Sequence, residues 1–198
     1  MLVLRRINPR SWPTYRSLST VEAGTIYEKL VVSIFNRLGA SVDRTGGASD
    51  NGVDFYGDWQ LPNHCKFQIA GQCKHYEHKR IGPAIIREWE GVMSRQDNCL
   101  GMVVTTSGFT PSGTAAALSS AYPIALVTID SPLKANVDST DWDKVRGFIW
   151  NRAAQPFIGR LMVAKKHFDI QKVDLGDPAR FTIQLFWDGK PLDMNTNR

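Results

Sequence analysis

The sequence predicts an α/β protein with a mixed central sheet flanked by helices, in the order α-β-β-β-α-β-α-β. Three observations predict it: a helix-period apolar pattern near the N-terminus, three extended segments after it, and short apolar runs that alternate with helical segments. The 198 residues, 42 % hydrophobic and 22 % charged, suffice for one well-buried domain. No run approaches the ~18 apolar residues of a membrane-spanning helix, so no membrane span is expected. The three cysteines form no C-x-x-C pair, which argues against a structural zinc site.

The elements follow from local patterns. Apolar residues recur every four positions from Ile26 to Leu38, which predicts a helix at 23–38 that Gly39 ends in a left-handed conformation. The elements predicted after it are strands at 41–44, 53–59 and 66–74, a helix at 83–95, a strand at 100–106, a helix at 111–121 and a strand at 124–129.

The pattern changes after residue 132. A helix is predicted at 141–151, and segments 159–167 and 181–187 are predicted to pair as strands. Residues 133–198 are therefore expected to form a small α+β extension, whose role the sequence leaves open.

Residues 1–20 differ from the rest of the chain in charge. They contain four arginines and no acidic residue, and the first acid is Glu22. An arginine- and hydroxyl-rich, acid-free leader is typical of a mitochondrial transit peptide, so a mitochondrial location, in the matrix, is expected. An irregular basic N-terminus is the alternative, because Pro9 and Pro13 limit any helix there.

Charge alone says little about nucleic acid. The net charge is +5, but outside the leader 20 basic residues face 19 acidic ones. Phosphate contacts must therefore come from local patches, of which His75, His78, Lys79 and Arg80 form the candidate for DNA binding. A solvated loop is the alternative for this patch. Asp50, in a Gly-rich loop, has a turn-forming alternative of the same kind.

The segments Gly52–Gly57 and Ile69–Lys74 carry the chemistry. Because side chains alternate along a strand, Gln72 and Lys74 point to one side, and a hairpin between the two strands would bring Asp54 beside them. Phosphodiester hydrolysis needs such a set, namely hard oxygen ligands for Mg²⁺ and a cation near the attacking water. Taken singly, Asp54 is also explained as a strand-starting residue and Lys74 as a solvated lysine.

These residues resemble the PD-(D/E)xK nucleases and, more narrowly, the Mrr-like restriction endonuclease family. The resemblance covers roughly residues 24–130 and implies a restriction-endonuclease-like core within a domain at 21–132. Four pieces carry it in order: Gly24–Glu28, Gly46–Asp54, the triplet Gln72-Cys73-Lys74, and Val104–Thr110.

The resemblance also implies roles. Asp54 looks like the metal-binding aspartate, and Gln72 stands where many such enzymes have Asp or Glu, with an amide oxygen that can still coordinate a cation. Lys74 looks like the lysine that positions water and stabilises charge on the phosphate. Glu28 matches a helix carboxylate that supplements the metal site and would compensate for the charge missing at Gln72. The implied cofactor is Mg²⁺, with Mn²⁺ as the alternative, and the hydroxyl run at 105–107 is expected to end a strand beside the site without a chemical step.

The expected function is that of a Mg²⁺-dependent DNA endonuclease. The leader and core together resemble fungal mitochondrial proteins described as required for respiratory growth, which implies a part in mitochondrial DNA maintenance. DNA is the expected partner, and a homodimer is a further expectation because many nucleases of this fold pair to cut both strands. Two alternatives stay open: a catalytically inactive DNA-binding or scaffold protein, favoured by the neutral Gln72, and a bacterial restriction enzyme directed against modified DNA.

Overall fold

The computed structural model describes residues 19–45, 52–131, 145–166 and 182–192. Its elements in chain order are α1 (Thr20–Arg37), β1 (Ala40–Arg44), β2 (Phe55–Trp59), β3 (Phe67–Lys74), α2 (Pro83–Met93), β4 (Cys99–Thr105), α3 (Pro111–Ser119), β5 (Ile124–Ile129), β6 (Val145–Trp150), a 3-10 turn (Arg152–Ala154), α4 (Gln155–Ile158), β7 (Leu161–Lys166), β8 (Thr182–Trp187) and β9 (Lys190–Pro191). None of the helices in these ranges is long and apolar enough to cross a membrane.

The main sheet has six strands in the order β1-β2-β3-β4-β5-β6. β1, β2 and β3 form an antiparallel meander, β4 and β5 continue parallel to β3, and β6 closes the order antiparallel to β5. The parallel strands are joined by the helices α2 and α3, as parallel pairing requires. The predicted fold class and the order of its eight elements are confirmed.

The sheet lies between helices, with a different apolar cluster on each face. Alternate residues of β4 enter different clusters, since Leu100 and Met102 pack on the α1 side and Val103 on the α2 side. Tyr27 of α1 and Trp89 of α2 are fully buried, one against each face. Burying both faces explains why β4 and β5 are almost wholly apolar.

Helix α1 begins three residues before its predicted start because of a capping box. Ser19 Oγ accepts from the Glu22 N–H at 3.2 Å, and Glu22 Oε2 accepts from the Ser19 N–H at 2.9 Å. At its other end Gly39 has a φ of 84°, the predicted left-handed cap. Residues 1–18 lie outside the described residues, so the transit peptide stays a prediction.

The predicted helix at 141–151 is wrong over 145–150, which form strand β6. Its pairing with β5 contains a register shift, where Thr128 faces Gly147 and Ile129 faces Val145. The shift leaves Val145 and Phe148 buried three residues apart, a spacing that imitates one face of a helix. The predicted pairing of the next two strands is confirmed, because β7 and β8 pair antiparallel.

Candidate active site

The candidate site lies where β2 begins and β3 ends. The register pairs Phe55 with Gly71, and the Asp54 N–H donates to the Gly71 carbonyl at 2.8 Å. Asp54 Oδ2 accepts from the backbone N–H of Cys73 at 2.6 Å. The hairpin therefore places the Asp54 carboxylate against the backbone between Gln72 and Lys74, as the strand pattern predicted.

Gly71 makes this approach of the two strands possible. A Cβ built on Gly71 would stand 2.0 Å from the ring of Phe55, which is fully buried. The ring lies over the glycine, and Asp54 directly precedes Phe55, the first residue of β2. A side chain at position 71 would therefore displace Phe55 and, with it, the carboxylate of the site.

Gln72 is a buried amide, 3 % exposed, on the side of the sheet that α2 covers. Its Nε2 donates to the Gly52 carbonyl at 3.1 Å, and because a carbonyl only accepts, this bond fixes which end of the amide is nitrogen. Among the described residues, Gln72 Oε1 has no hydrogen-bond partner. A buried oxygen left in this state costs about 1–3 kcal/mol, which a bound cation would offset.

Glu28 reaches the site from α1, on the other side of the sheet. Its Oε2 lies 2.8 Å from Nη1 of Arg44, the last residue of β1, in a pair whose side chains are 19 % and 34 % exposed. The carboxylate that was expected to compensate for the neutral Gln72 is thus itself neutralised by Arg44. Arg44 was not singled out in the sequence, because nothing local predicts its pairing with a helix sixteen residues away.

The Cys73 thiol lies between Gln72 and Lys74 in sequence, and burial and the charges of the predicted site residues shift its pKa. Burial raises the pKa of its thiol well above the usual value, and the charges of Asp54 and Glu28 raise it further, while Lys74 opposes them. Three of the four predicted site residues therefore lie within electrostatic range of one sulfur atom. The raised pKa keeps this thiol protonated and inert as a nucleophile.

The donor set fits a hard divalent cation, although it is sparse. Within the described ranges, no three His, Cys, Asp or Glu side chains form a metal-binding cluster. Asp54 and Gln72, whose amide oxygen has no hydrogen-bond partner among the described residues, are the two groups that could offer oxygen ligands to such a cation. Mg²⁺ is commonly held by one or two carboxylates, with water and substrate phosphates completing its shell.

The predicted DNA-binding residues divide into two groups. His75 Nε2 lies 2.9 Å from Ser131 Oγ, and its ring is 5.5 Å from that of Tyr27, so His75 is fixed within the fold. His78, Lys79 and Arg80 are exposed, in the segment 76–80 that is called the basic loop below. Asp50 lies outside the described residues.

Thr106 and Ser107, given no role in the sequence, contact the backbone of the basic loop. Thr106 Oγ1 accepts from the Tyr76 N–H at 3.0 Å and donates to the Tyr76 carbonyl at 2.5 Å. Ser107 Oγ donates to the Lys79 carbonyl at 2.6 Å. The available signal was the run of three hydroxyl residues, 105–107, at the end of a buried strand.

Comparison with known proteins identifies the family. Residues 22–131 match the family model of the Mrr catalytic domain, described as a restriction endonuclease. An uncharacterized mitochondrial protein of Schizosaccharomyces pombe is 32 % identical over 114 residues, which are 56 % of this chain and 46 % of that protein, so the chain spans about half the length of this relative. A solved structure, MspJI restriction endonuclease in complex with a 27-mer oligonucleotide, has a TM-score of 0.40 and 21 % identity and covers 52 % of this chain and 24 % of its own. Because the family model matches more than half of the sequence, the chain belongs to the Mrr-type restriction endonuclease family.

Proposed function

We propose that the protein is a metal-dependent DNA endonuclease whose centre is the sheet edge at Asp54, Gln72 and Lys74. The observation that carries the proposal is the Asp54 carboxylate, held on the Cys73 N–H beside a buried amide oxygen that lacks a partner among the described residues. Membership of the restriction endonuclease family supports the same reaction class. The substrate is a DNA phosphodiester.

The side chains divide the work. Asp54 and Gln72 would hold the cation, Mg²⁺ with Mn²⁺ as the alternative, and Glu28 is a third ligand if its carboxylate is shared with Arg44. When bound, the cation polarises a phosphoryl oxygen and lowers the pKa of a water molecule. The Cys73 N–H orients the Asp54 carboxylate in advance. Lys74, on the same side of β3 as Gln72, donates to the phosphate and stabilises the charge that develops on it.

The cellular setting is part of the proposal. The acid-free leader and the mitochondrial name of the yeast relative support a mitochondrial location, in the matrix, and a role in DNA maintenance and respiratory growth. Lys79 and Arg80 supply positive charge for DNA phosphates, and His78 adds an exposed hydrogen-bonding group beside them. His75 contributes to DNA binding indirectly, because its hydrogen bond to Ser131 fixes the start of the segment that carries these residues. A homodimer would bring one centre to each DNA strand.

A cleavage panel tests the proposal. Linear duplex, supercoiled plasmid, single-stranded and branched DNA would each be incubated with the protein in Mg²⁺, Mn²⁺ or EDTA. Cutting is expected with a divalent cation and is expected to vanish in Lys74→Ala. Lys66→Ala is the matched control, because Lys66 flanks the other end of β3 and pairs with Asp58 at 3.0 Å. Equal cutting by Lys74→Ala, or cutting in EDTA, would refute the assigned centre.

A second candidate function is a nuclease fold that binds DNA without cutting it. The Glu28–Arg44 ion pair favours it. Because Gln72 is neutral, a cation would need the charge of the Glu28 carboxylate, and Arg44 neutralises that charge. Such a protein would bind DNA with an affinity that falls steeply with salt. The same panel separates the two candidates, since binding without cutting supports the second.

A further inference from the structure

We propose that Thr106 and Ser107 are positioning residues, together called the hydroxyl clamp, that hold the basic loop beside the catalytic edge and so set the affinity for DNA. This inference rests on the proposed function and deepens it. It assigns a role to the hydroxyl run after β4, which takes no part in the reaction itself. The ligand of the loop is the phosphate backbone of DNA.

Thr106 fixes the chain where it leaves the catalytic strand. Its N–H makes a long contact of 3.4 Å to the Lys74 carbonyl, and its hydroxyl bonds both the N–H and the carbonyl of Tyr76. One residue thus holds the backbone on both sides of His75. The direction of the chain after Lys74 is set by these contacts.

Ser107 fixes the loop near its far end. Its Oγ donates to the Lys79 carbonyl at 2.6 Å and lies 3.2 Å from Oγ1 of Thr105, which is fully buried. The Ser107 N–H also donates to Thr105 Oγ1 at 3.3 Å. The buried threonine therefore orients the serine that holds the loop.

Backbone contacts close the segment behind the clamp. The Ile81 N–H donates to the Gly108 carbonyl at 3.0 Å, and the Thr110 N–H donates to the Ile81 carbonyl at 2.9 Å. Gly108 has a φ of 75°, a left-handed conformation that favours glycine, and it turns the chain toward Ile81. The loop is thereby attached at Tyr76, Lys79 and Ile81 while its charged side chains stay exposed.

The range of these bonds distinguishes the clamp from ordinary strand-end hydroxyls. Serine and threonine side chains mostly bond backbone groups within a few residues. Thr106 bonds a residue thirty positions away, and Ser107 bonds one 28 positions away. Both bonds reach the segment that carries His78, Lys79 and Arg80. Lys79 Nζ is further placed 5.7 Å from the centroid of the Tyr76 ring.

Holding the loop in place lowers the cost of binding. A free loop would lose conformational entropy when it ordered on DNA, and this loss weakens binding. The clamp orders the loop beforehand. Its removal should therefore raise KM and Kd and leave kcat nearly unchanged, because Lys74 and Asp54 keep their own contacts.

The test uses Thr106→Val, which keeps the shape and removes the hydroxyl, Thr106→Ser, which restores the hydroxyl, and Ser107→Ala. Cleavage of a duplex in Mg²⁺ gives kcat and KM, and fluorescence anisotropy of the same duplex in EDTA gives Kd against salt. Thr106→Val and Ser107→Ala are expected to raise KM and Kd about tenfold, with a shallower salt dependence, and Thr106→Ser to recover most of the loss. Ser119→Ala is the control, because within the described ranges the Ser119 hydroxyl bonds the Ala116 carbonyl of its own helix, at 3.0 Å.

The outcomes separate the clamp from the proposed function. Unchanged KM and Kd in both hydroxyl deletions would overturn the clamp while wild-type cutting upheld the nuclease. A loss confined to kcat, or an equal loss in Thr106→Ser and Thr106→Val, would also overturn it. If the wild-type protein binds DNA without cutting, the proposed function fails and Kd alone decides the clamp. A wild-type protein that neither binds nor cuts DNA refutes both.

Discussion

The two ends of the β2–β3 hairpin are built differently. At the site end stand a carboxylate at Asp54, the buried amide of Gln72 and the Glu28–Arg44 ion pair. At the turn end, aromatic rings pack together. The ring centroids of His64 and Trp187 are 5.3 Å apart, and those of Phe67 and Phe157 are 5.4 Å apart. One hairpin thus carries polar groups that weaken its packing at one end and rings that stabilise it at the other.

The C-terminal extension supplies aromatic residues that pack at the turn end of the hairpin. Trp187 of β8 is 3 % exposed, and its Nε1 donates to the Pro62 carbonyl in the β2–β3 turn at 2.7 Å. Phe157 joins the same group from α4. The extension, whose role the sequence left open, packs against the hairpin at the end away from the site. Activity and stability should therefore respond to different substitutions.

The largest expected effect is the loss of cleavage in Asp54→Asn. The substitution removes the charge but keeps an oxygen that can accept the Cys73 N–H, so the fold should survive. The cleavage rate is expected to fall by about 10²–10³ while Tm changes little, because a neutral amide holds the cation that stabilises the charge on the phosphate less well than a carboxylate does.

Asp58→Asn is the matched control, because Asp58 lies in β2 near the turn and its ion pair within the described ranges is with exposed Lys66. Its cleavage rate should equal that of the wild type. A similar loss in both variants would show that the two ends of the hairpin are not independent.

Trp187→Ala should have the opposite signature. It removes a large buried ring and leaves the Pro62 carbonyl without its donor, so the free energy of unfolding should fall by about 3–5 kcal/mol. Denaturant titration measures this loss. Below the unfolding transition, the cleavage rate should stay within about twofold of wild type, since Trp187 lies at the other end of the strands. Trp187→Phe, which keeps a six-membered ring but loses the hydrogen bond and part of the buried volume, should cost less than Trp187→Ala, about 1–3 kcal/mol.

Gly71→Ala should break the separation between the two ends. The new Cβ meets the Phe55 ring, which the site and the core share, so both the unfolding free energy, by about 1–3 kcal/mol, and the cleavage rate should fall. Phe55→Leu combined with Gly71→Ala should recover part of both losses, and a double-mutant cycle measures the coupling. Strictly additive losses would show that the ring does not transmit the effect.

The smallest expected effect concerns Cys99, whose thiol should resist alkylation in the wild type and equally in Asp54→Asn. Burial raises the pKa of this thiol to about 12, so at pH 8 it is protonated and alkylation should modify exposed Cys65 instead. A thiol whose pKa is raised by folding stabilises the folded state below its ordinary pKa, and this contribution is lost as the pH rises toward 12. Peptide mapping of Asp54→Asn should give the same pattern. Alkylation of Cys99 in that variant would reveal a loosened core.

The local pattern was sufficient wherever neighbours in sequence decide the structure. The alternation that put Gln72 and Lys74 on one side of a strand needed only the backbone of β3. The α1 start could also have been found, because Ser19 and Glu22 have the spacing of a capping box.

Features that depend on contacts between residues far apart in sequence could not be predicted from local patterns. The partner of His75 is 56 residues away, and the bonds of Thr106 and Ser107 span about half that distance. Strand β6 was mistaken for a helix because its register shift depends on β5, which a local window does not contain. In each case the deciding group belongs to another strand or loop of the sheet.

The neutral side chain of Gln72 has a consequence for how the cation and DNA would bind to the proposed centre. A centre that offers one orienting carboxylate, an amide and an acid already paired with arginine attracts a divalent cation weakly by itself. DNA would bring the missing negative charge, because its phosphate oxygens enter the same coordination shell. Cation and DNA would then bind cooperatively, each raising the affinity for the other by the same factor. Under the proposed function, the centre would carry little metal between substrates and would become complete only on the DNA strand to be cut.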